Sequence, residues 1–184
     1  MSEGTSPSRI PLLERDQVTP EVANVYDALQ KTRGVVPNMF KTLAHTPALA
    51  VATAGYLKAL LSDGALPGFY KELIATRLSL LLGSEYAIRA HTLSAQQKGA
   101  SQQQIAAAKG DYESGPFTDA EKLGFGAADR LHRSPVEIND EFFADLKQHF
   151  TAPQIVELIA AASAFELFPR FVDALRIPIT PAPK

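Results

Sequence analysis

Cysteine is absent from this 184-residue chain. That excludes disulfides, thiolate nucleophiles and cysteine-ligated metal sites together. Tryptophan is absent and methionine occurs only twice. Neither charge sign dominates: 18 Lys and Arg face 20 Asp and Glu, a formal net charge of −2. Such a balance supplies no basic field to draw nucleic acid and no acidic tail. No run approaches the ~18–20 uninterrupted apolar residues of a membrane span. The polar start, Met1 to Arg9, lacks the apolar stretch of a signal peptide. No glycine-rich phosphate loop occurs, since Gly64, Gly68 and Gly83 form neither G-x-G-x-x-G nor a Walker pattern. His45, His132 and His149 lie in separate segments, without metal-ligand spacing to one another or to His91, and read as surface or capping residues. The expectation is a soluble cytoplasmic protein without metal or cofactor, binding neither nucleic acid nor membrane.

Helices are abundant. An apolar content of 46% and a length suited to one domain allow a real core. Thr19-Pro20-Glu21 starts a helix that Gly34 ends. Thr46-Pro47 starts another, running to about Ser62, and Asp63-Gly64 is a turn. Ser101 with Gln104, and Thr118 with Glu121, form capping boxes. A shorter helix spans Asp140 to Phe150. A long apolar one begins at Ala152-Pro153 and contains Pro169, which should kink it. No segment alternates as a strand does. The reading is all-α, a single-domain bundle of about seven to nine helices over residues 19–176. An extended arm precedes it at 1–18 and an extended tail follows at 177–184. The apolar faces exceed what a small monomer buries comfortably, so a homo-oligomer is expected.

Two segments stand at the centre. Pro67 to Leu82 reads as a greasy helix with Pro67 in its first turn and a narrow polar seam of Glu72, Thr76, Ser79 and Gly83. Ser84 to Lys98 reads as a second helix, capped by Ser84 and stopped by Gly99, with Lys98 favourable at its negative end. On it Ser84, Ala87, Ile88, His91 and Ala95 share one face. Glu85 and Arg89 are spaced as an i,i+4 pair. If the helices pack antiparallel around Gly83, Glu72 can approach His91. A carboxylate beside an imidazole in an apolar setting is a general acid–base arrangement. The plainer reading of His91 is a partly buried histidine bonded to a carbonyl. Ser84 and His91, two turns or ~10 Å apart along the axis, are too distant for a nucleophile–base pair. Glu166 and Arg170 are an i,i+4 pair beside Pro169, either a structural ion pair or a charged wall of a pocket or subunit interface.

The run Ser84-Glu85-Tyr86-Ala87-Ile88-Arg89-Ala90-His91 resembles the carboxymuconolactone decarboxylase and alkylhydroperoxidase D-like family. The peroxidase branch carries Cys-Glu-Tyr-Cys-x-x-Ala-His. Here the Glu-Tyr and Ala-His pairs remain, Glu72 falls at the upstream acid position, and Ser84 and Ala87 replace the cysteines. The decarboxylase branch lacks the cysteine pair and keeps His and Arg at the positions of His91 and Arg89. Gly34 to Phe40, Leu43 to Pro47 and Arg170 to Leu175 are similar to family members as well. The resemblance implies a helical bundle, a symmetric oligomer, and catalysis by His91 with Glu72. It implies a small carboxylated or lactone substrate, with Ser84, Ala87, Ile88 and Arg89 as expected contacts beside the candidate pocket wall of Glu166 and Arg170. Arg89 would hold a substrate carboxylate, as arginine suits that group. A thiol-independent lyase or isomerase follows. The alternative is a peroxidase scaffold that lost its thiols and now binds a ligand or partner without catalysis.

Overall fold

The computed structural model describes residues 8–183. The first seven residues of the expected arm, and Lys184 of the expected tail, lie outside the described residues. Among the described residues nine α-helices follow in chain order: α1 (Pro20–Arg33), α2 (Asn38–Leu43), α3 (Pro47–Leu61), α4 (Gly68–Leu81), α5 (Glu85–Gln97), α6 (Gln102–Lys109), α7 (Asp119–Arg133), α8 (Asp140–His149) and α9 (Ala152–Ala174). Short 3-10 turns occur at Arg15–Gln17 and Pro135–Glu137. The fold is all-α, as the patterning implies, and no strand occurs among the described residues.

Local chemistry sets the helix limits. Thr19 precedes Pro20 in extended backbone, and Gly34 closes α1 at φ 72°. Both capping boxes form: Gln104 N–H donates to the Ser101 hydroxyl and Glu121 N–H to that of Thr118. Pro67 corrects one expectation. Its backbone is extended (φ −59°, ψ 138°), so it stands just before α4 rather than within the first turn. Gly83, at φ 71°, turns the chain from α4 into α5. Ser84 N–H donates to Ser79 O and Gly83 N–H to Leu80 O, the paired reverse bonds of a glycine-terminated helix. Gly99, at φ 97°, ends α5 in the same manner, with Ala100 N–H on Ala95 O.

The chain divides into two compact units, one built from residues up to 59 with those from 171 onward, the other from Leu60–Arg170. In the first unit arm and tail fold back on their own chain. Leu13 N–H donates to Lys41 O. The Asn38 side-chain amide donates to Pro178 O, and Asn38 N–H to the Thr180 hydroxyl.

In the second unit α4 is central, with Tyr70, Leu73, Ile74, Ala75 and Leu78 all buried. A helix apolar on every side belongs inside a core. Two of its seam residues bond back to their own helix. Thr76 donates to Glu72 O and Ser79 to Ala75 O, each one turn back on the same helix. Arg77 leaves the core through Asp129 of α7, which takes its Nε and Nη2 at 2.9 and 3.0 Å. Tyr70 donates to Glu121 O at 2.6 Å, and its hydroxyl lies where a Cβ on Gly124 would stand. Only glycine allows α7 that close to Tyr70. No helix among the described residues is long and apolar enough to cross a membrane.

Candidate active site

Helix α5 and its C-cap residue present His91, Ser94 and Lys98 at i, i+3 and i+7, one face of the helix. All three meet Glu72 of α4. His91 Nδ1 lies 2.7 Å from Glu72 Oε2. The Ser94 hydroxyl donates to Oε1 at 2.7 Å, and Lys98 Nζ donates to the same oxygen at 2.7 Å. Lys98 Nζ also donates to Leu61 O at 2.7 Å. Glu72 is 0% exposed and His91 14%. Phe165 of α9 meets the imidazole edge-on, with ring centroids 4.3 Å apart. The convergence of Glu72 and His91 across the Gly83 turn is as expected.

Burial by itself would push the Glu72 carboxyl upward. Hydrogen bonds and charge from His91 and Lys98 outweigh it and hold the group at about 2. Glu72 is therefore a carboxylate at any ordinary pH. A carboxylate only accepts, so the nitrogen facing it, Nδ1, carries a hydrogen. In neutral imidazole the lone pair then sits on Nε2, which makes no protein hydrogen bond among the described residues. The arrangement orients a base at one defined atom.

The other expected site residues divide. Ala87 is buried on α5 and Ile88 is partly buried. Ser84 occupies the N-cap position but makes no side-chain cap bond, which corrects the capping assignment. It is 1% exposed, and its ψ of 96° departs from the 158°, 161° and 175° of the caps that do bond, Ser101, Thr118 and Asn139. Arg89 donates to Glu85 at 2.6 Å in solvent, two residues and hence about 200° around the helix from His91. The structure does not bring it to the Glu72–His91 pair.

Glu166 and Arg170 form their ion pair at 2.9 Å and line an open groove of about 690 Å³ with Leu131, Phe143, Ile159 and Ser163. His132 corrects the surface-or-cap reading, because its Nδ1 lies 2.6 Å from Glu166 Oε1 and the residue is partly buried. A smaller recess, about 350 Å³, is lined by Leu61, Ser62, Asp63 and Lys98. Neither lining includes Glu72 or His91. No cluster of three or more His, Cys, Asp or Glu suited to a metal occurs among the described residues.

Sequence reasoning missed Ser94 and Lys98. The signal was present in their i+3 and i+7 spacing from His91, but Lys98 reads equally as a last-turn cation facing water.

The pair sits in an all-α fold without a thiol. Residues 47–130 match the model of the Carboxymuconolactone decarboxylase family, and the chain carries no cysteine. Among curated proteins none matches. Several solved structures share the fold. An uncharacterized peroxidase-related protein from a Silicibacter species is 22% identical at a TM-score of 0.86, covering 99% of this chain and 96% of its own. A second, from Ralstonia eutropha, described as an alkylhydroperoxidase AhpD core, is 24% identical at 0.86, covering 95% and 93%. The debrominase Bmp8 in complex with 2,3,4-tribromopyrrole is 22% identical at 0.84, covering 97% and 95%.

Proposed function

We propose that this chain is a thiol-independent acid–base enzyme, a lyase or isomerase acting on a small carboxylated or lactone substrate. The observation that carries the reading is the hydrogen bond between His91 Nδ1 and a fully buried, ionised Glu72. Nε2 of His91 takes a proton from a carbon acidified by a neighbouring carbonyl. In an isomerisation the resulting imidazolium returns that proton at another carbon; in a decarboxylation a proton taken up from solvent and delivered by Nε2 replaces the departing carbon dioxide. Glu72 stabilises the imidazolium and fixes its orientation without itself taking a proton. Ser84, Ala87 and Ile88, on the helix that bears His91, are proposed substrate contacts. Arg89, Glu166 and Arg170 would contact substrate only if it extends beyond that pair.

The test is a screen of small lactones and unsaturated carboxylic acids, following carbon dioxide release or the ultraviolet shift of a moving double bond. On any substrate found, His91→Ala should lower kcat by about 10²–10⁴-fold, the range of a positioned proton-transfer group. Unchanged turnover would refute the assignment.

The second reading, a non-catalytic ligand-binding or scaffold relative, draws support from the burial of Ser84 and Ala87 where the peroxidase branch has thiols. It predicts that no substrate emerges. Hydroperoxide reduction would contradict both readings, since no thiolate exists to be oxidised.

A homo-oligomer also belongs to the proposal. Val136, Val156 and Leu167 are exposed apolar side chains of the Leu60–Arg170 unit that an interface would cover. Light scattering at micromolar concentration should give a multiple of the 19.9 kDa chain mass, and a monomer would remove this part.

A further inference from the structure

Glu72 has two oxygens and they are not used alike. Oε2 takes His91 alone, while Oε1 takes Ser94 and Lys98. A buried carboxylate facing a histidine raises that histidine's affinity for a proton, because the imidazolium helps to balance its charge. Here the balance already exists without His91. Lys98 Nζ is 2.7 Å from Oε1 and 31% exposed, so the ammonium reaches both water and the buried acid.

We propose that Lys98 is a positioning residue for His91: by neutralising Glu72 from the opposite oxygen, it keeps His91 at rest as the neutral Nδ1–H imidazole, with Nε2 basic. This rests on the proton-transfer reading above and adds to its isomerase form the direction in which the cycle starts, with proton removal rather than donation. Protonating His91 beside Lys98 would place two cations against one carboxylate in a poorly hydrated site, which is unfavourable.

Other charged groups near the site are committed elsewhere. On α4, Lys71 pairs with Glu157 and Arg77 with Asp129. On α5, Glu85 and Arg89 pair in solvent. The charged residue of α6, Lys109, is exposed. On α9, Phe165 is the contact to His91, while Glu166 pairs with His132 and Arg170. Asp63 lines the recess beside Lys98, and its Oδ1 accepts Gly68 N–H.

The experiment is an NMR titration of the full chain, following the His91 ring nitrogens from pH 4.5 to 9. In the wild type, neutral His91 should show the Nδ1–H tautomer. Lys98→Gln keeps a hydrogen-bond donor and removes the charge. It should raise the His91 midpoint by about one pH unit, a tenfold gain in proton affinity. Lys98→Met should do the same, and Lys98→Arg should restore the wild-type midpoint. Backbone spectra confirm which variants fold, and Lys98→Gln and Lys98→Arg suffice if Lys98→Met does not. A midpoint unmoved or lowered in Lys98→Gln overturns the inference, as does an Nε2–H tautomer in the wild type. These readouts need no substrate, so they fail or succeed separately from the His91→Ala turnover test.

Discussion

Glu72→Ala should lower the free energy of unfolding by about 3–5 kcal/mol, the range for breaking a buried ion pair by removing one partner. The carboxylate is 0% exposed and accepts from three groups. Alanine leaves the His91 and Ser94 donors without an acceptor inside the core and opens a void between α4 and α5. Lys98 keeps Leu61 O and water, so its loss is the mildest. Glu72→Gln preserves volume and one acceptor oxygen and should fall between wild type and alanine. Urea unfolding at pH 7 measures the series, and an alanine variant within about 1 kcal/mol of wild type would contradict the network's structural role.

The same carboxylate gives the fold an acid limit. Its pKa is held at about 2 against an ordinary 4.5, so the unfolded chain binds this proton more readily than the folded one. Its stabilisation is fully present above about pH 4.5 and drains away as pH falls towards 2. In Glu72→Gln that part of the acid sensitivity should be missing, which compares the two proteins in urea at pH 3 and pH 7.

Glu157→Ala should be comparably severe, again about 3–5 kcal/mol. Lys71 is 1% exposed and its ammonium lies 2.8 Å from Glu157, which is 28% exposed. The same carboxylate accepts Ala65 N–H at 2.9 Å and Leu66 N–H at 3.0 Å, fastening the loop ahead of α4. Removing it strands a buried cation and two main-chain donors. Lys71→Met should cost less, because it removes the group that is expensive to bury and leaves the carboxylate on its two N–H donors, partly in water. Urea midpoints of the two variants check the order. Lys71→Met proving the more damaging would show that the ammonium contributes more than its charge pairing.

The legible parts of the site share one property, in that each is settled within about two helical turns. Glu85 and Arg89 pair because i,i+4 neighbours meet on any helix. The capping boxes at Ser101 and Thr118 close because both partners lie within four residues. The approach of Glu72 to His91 needed only one further assumption, that Gly83 reverses the chain, and a positive φ is what glycine there supplies.

Lys98 on Glu72, Lys71 on Glu157 and His132 on Glu166 were not legible. Each depends on how one helix is rotated against another. Periodicity fixes that rotation when a helix has one apolar face. Helix α4 is buried on almost every side, so its own pattern sets no preferred direction for Lys71 or Glu72.

By itself, the sequence determined the helical class, the main helix limits, the thiol-free chemistry and the carboxylate–imidazole candidate, because these follow from composition and short-range stereochemistry. Tertiary structure alone decided that three donors share Glu72, that Arg89 stands away from His91, and that Glu166 serves His132. Those outcomes depend on packing between helices, where an all-apolar surface admits many rotations and only the assembled core selects one.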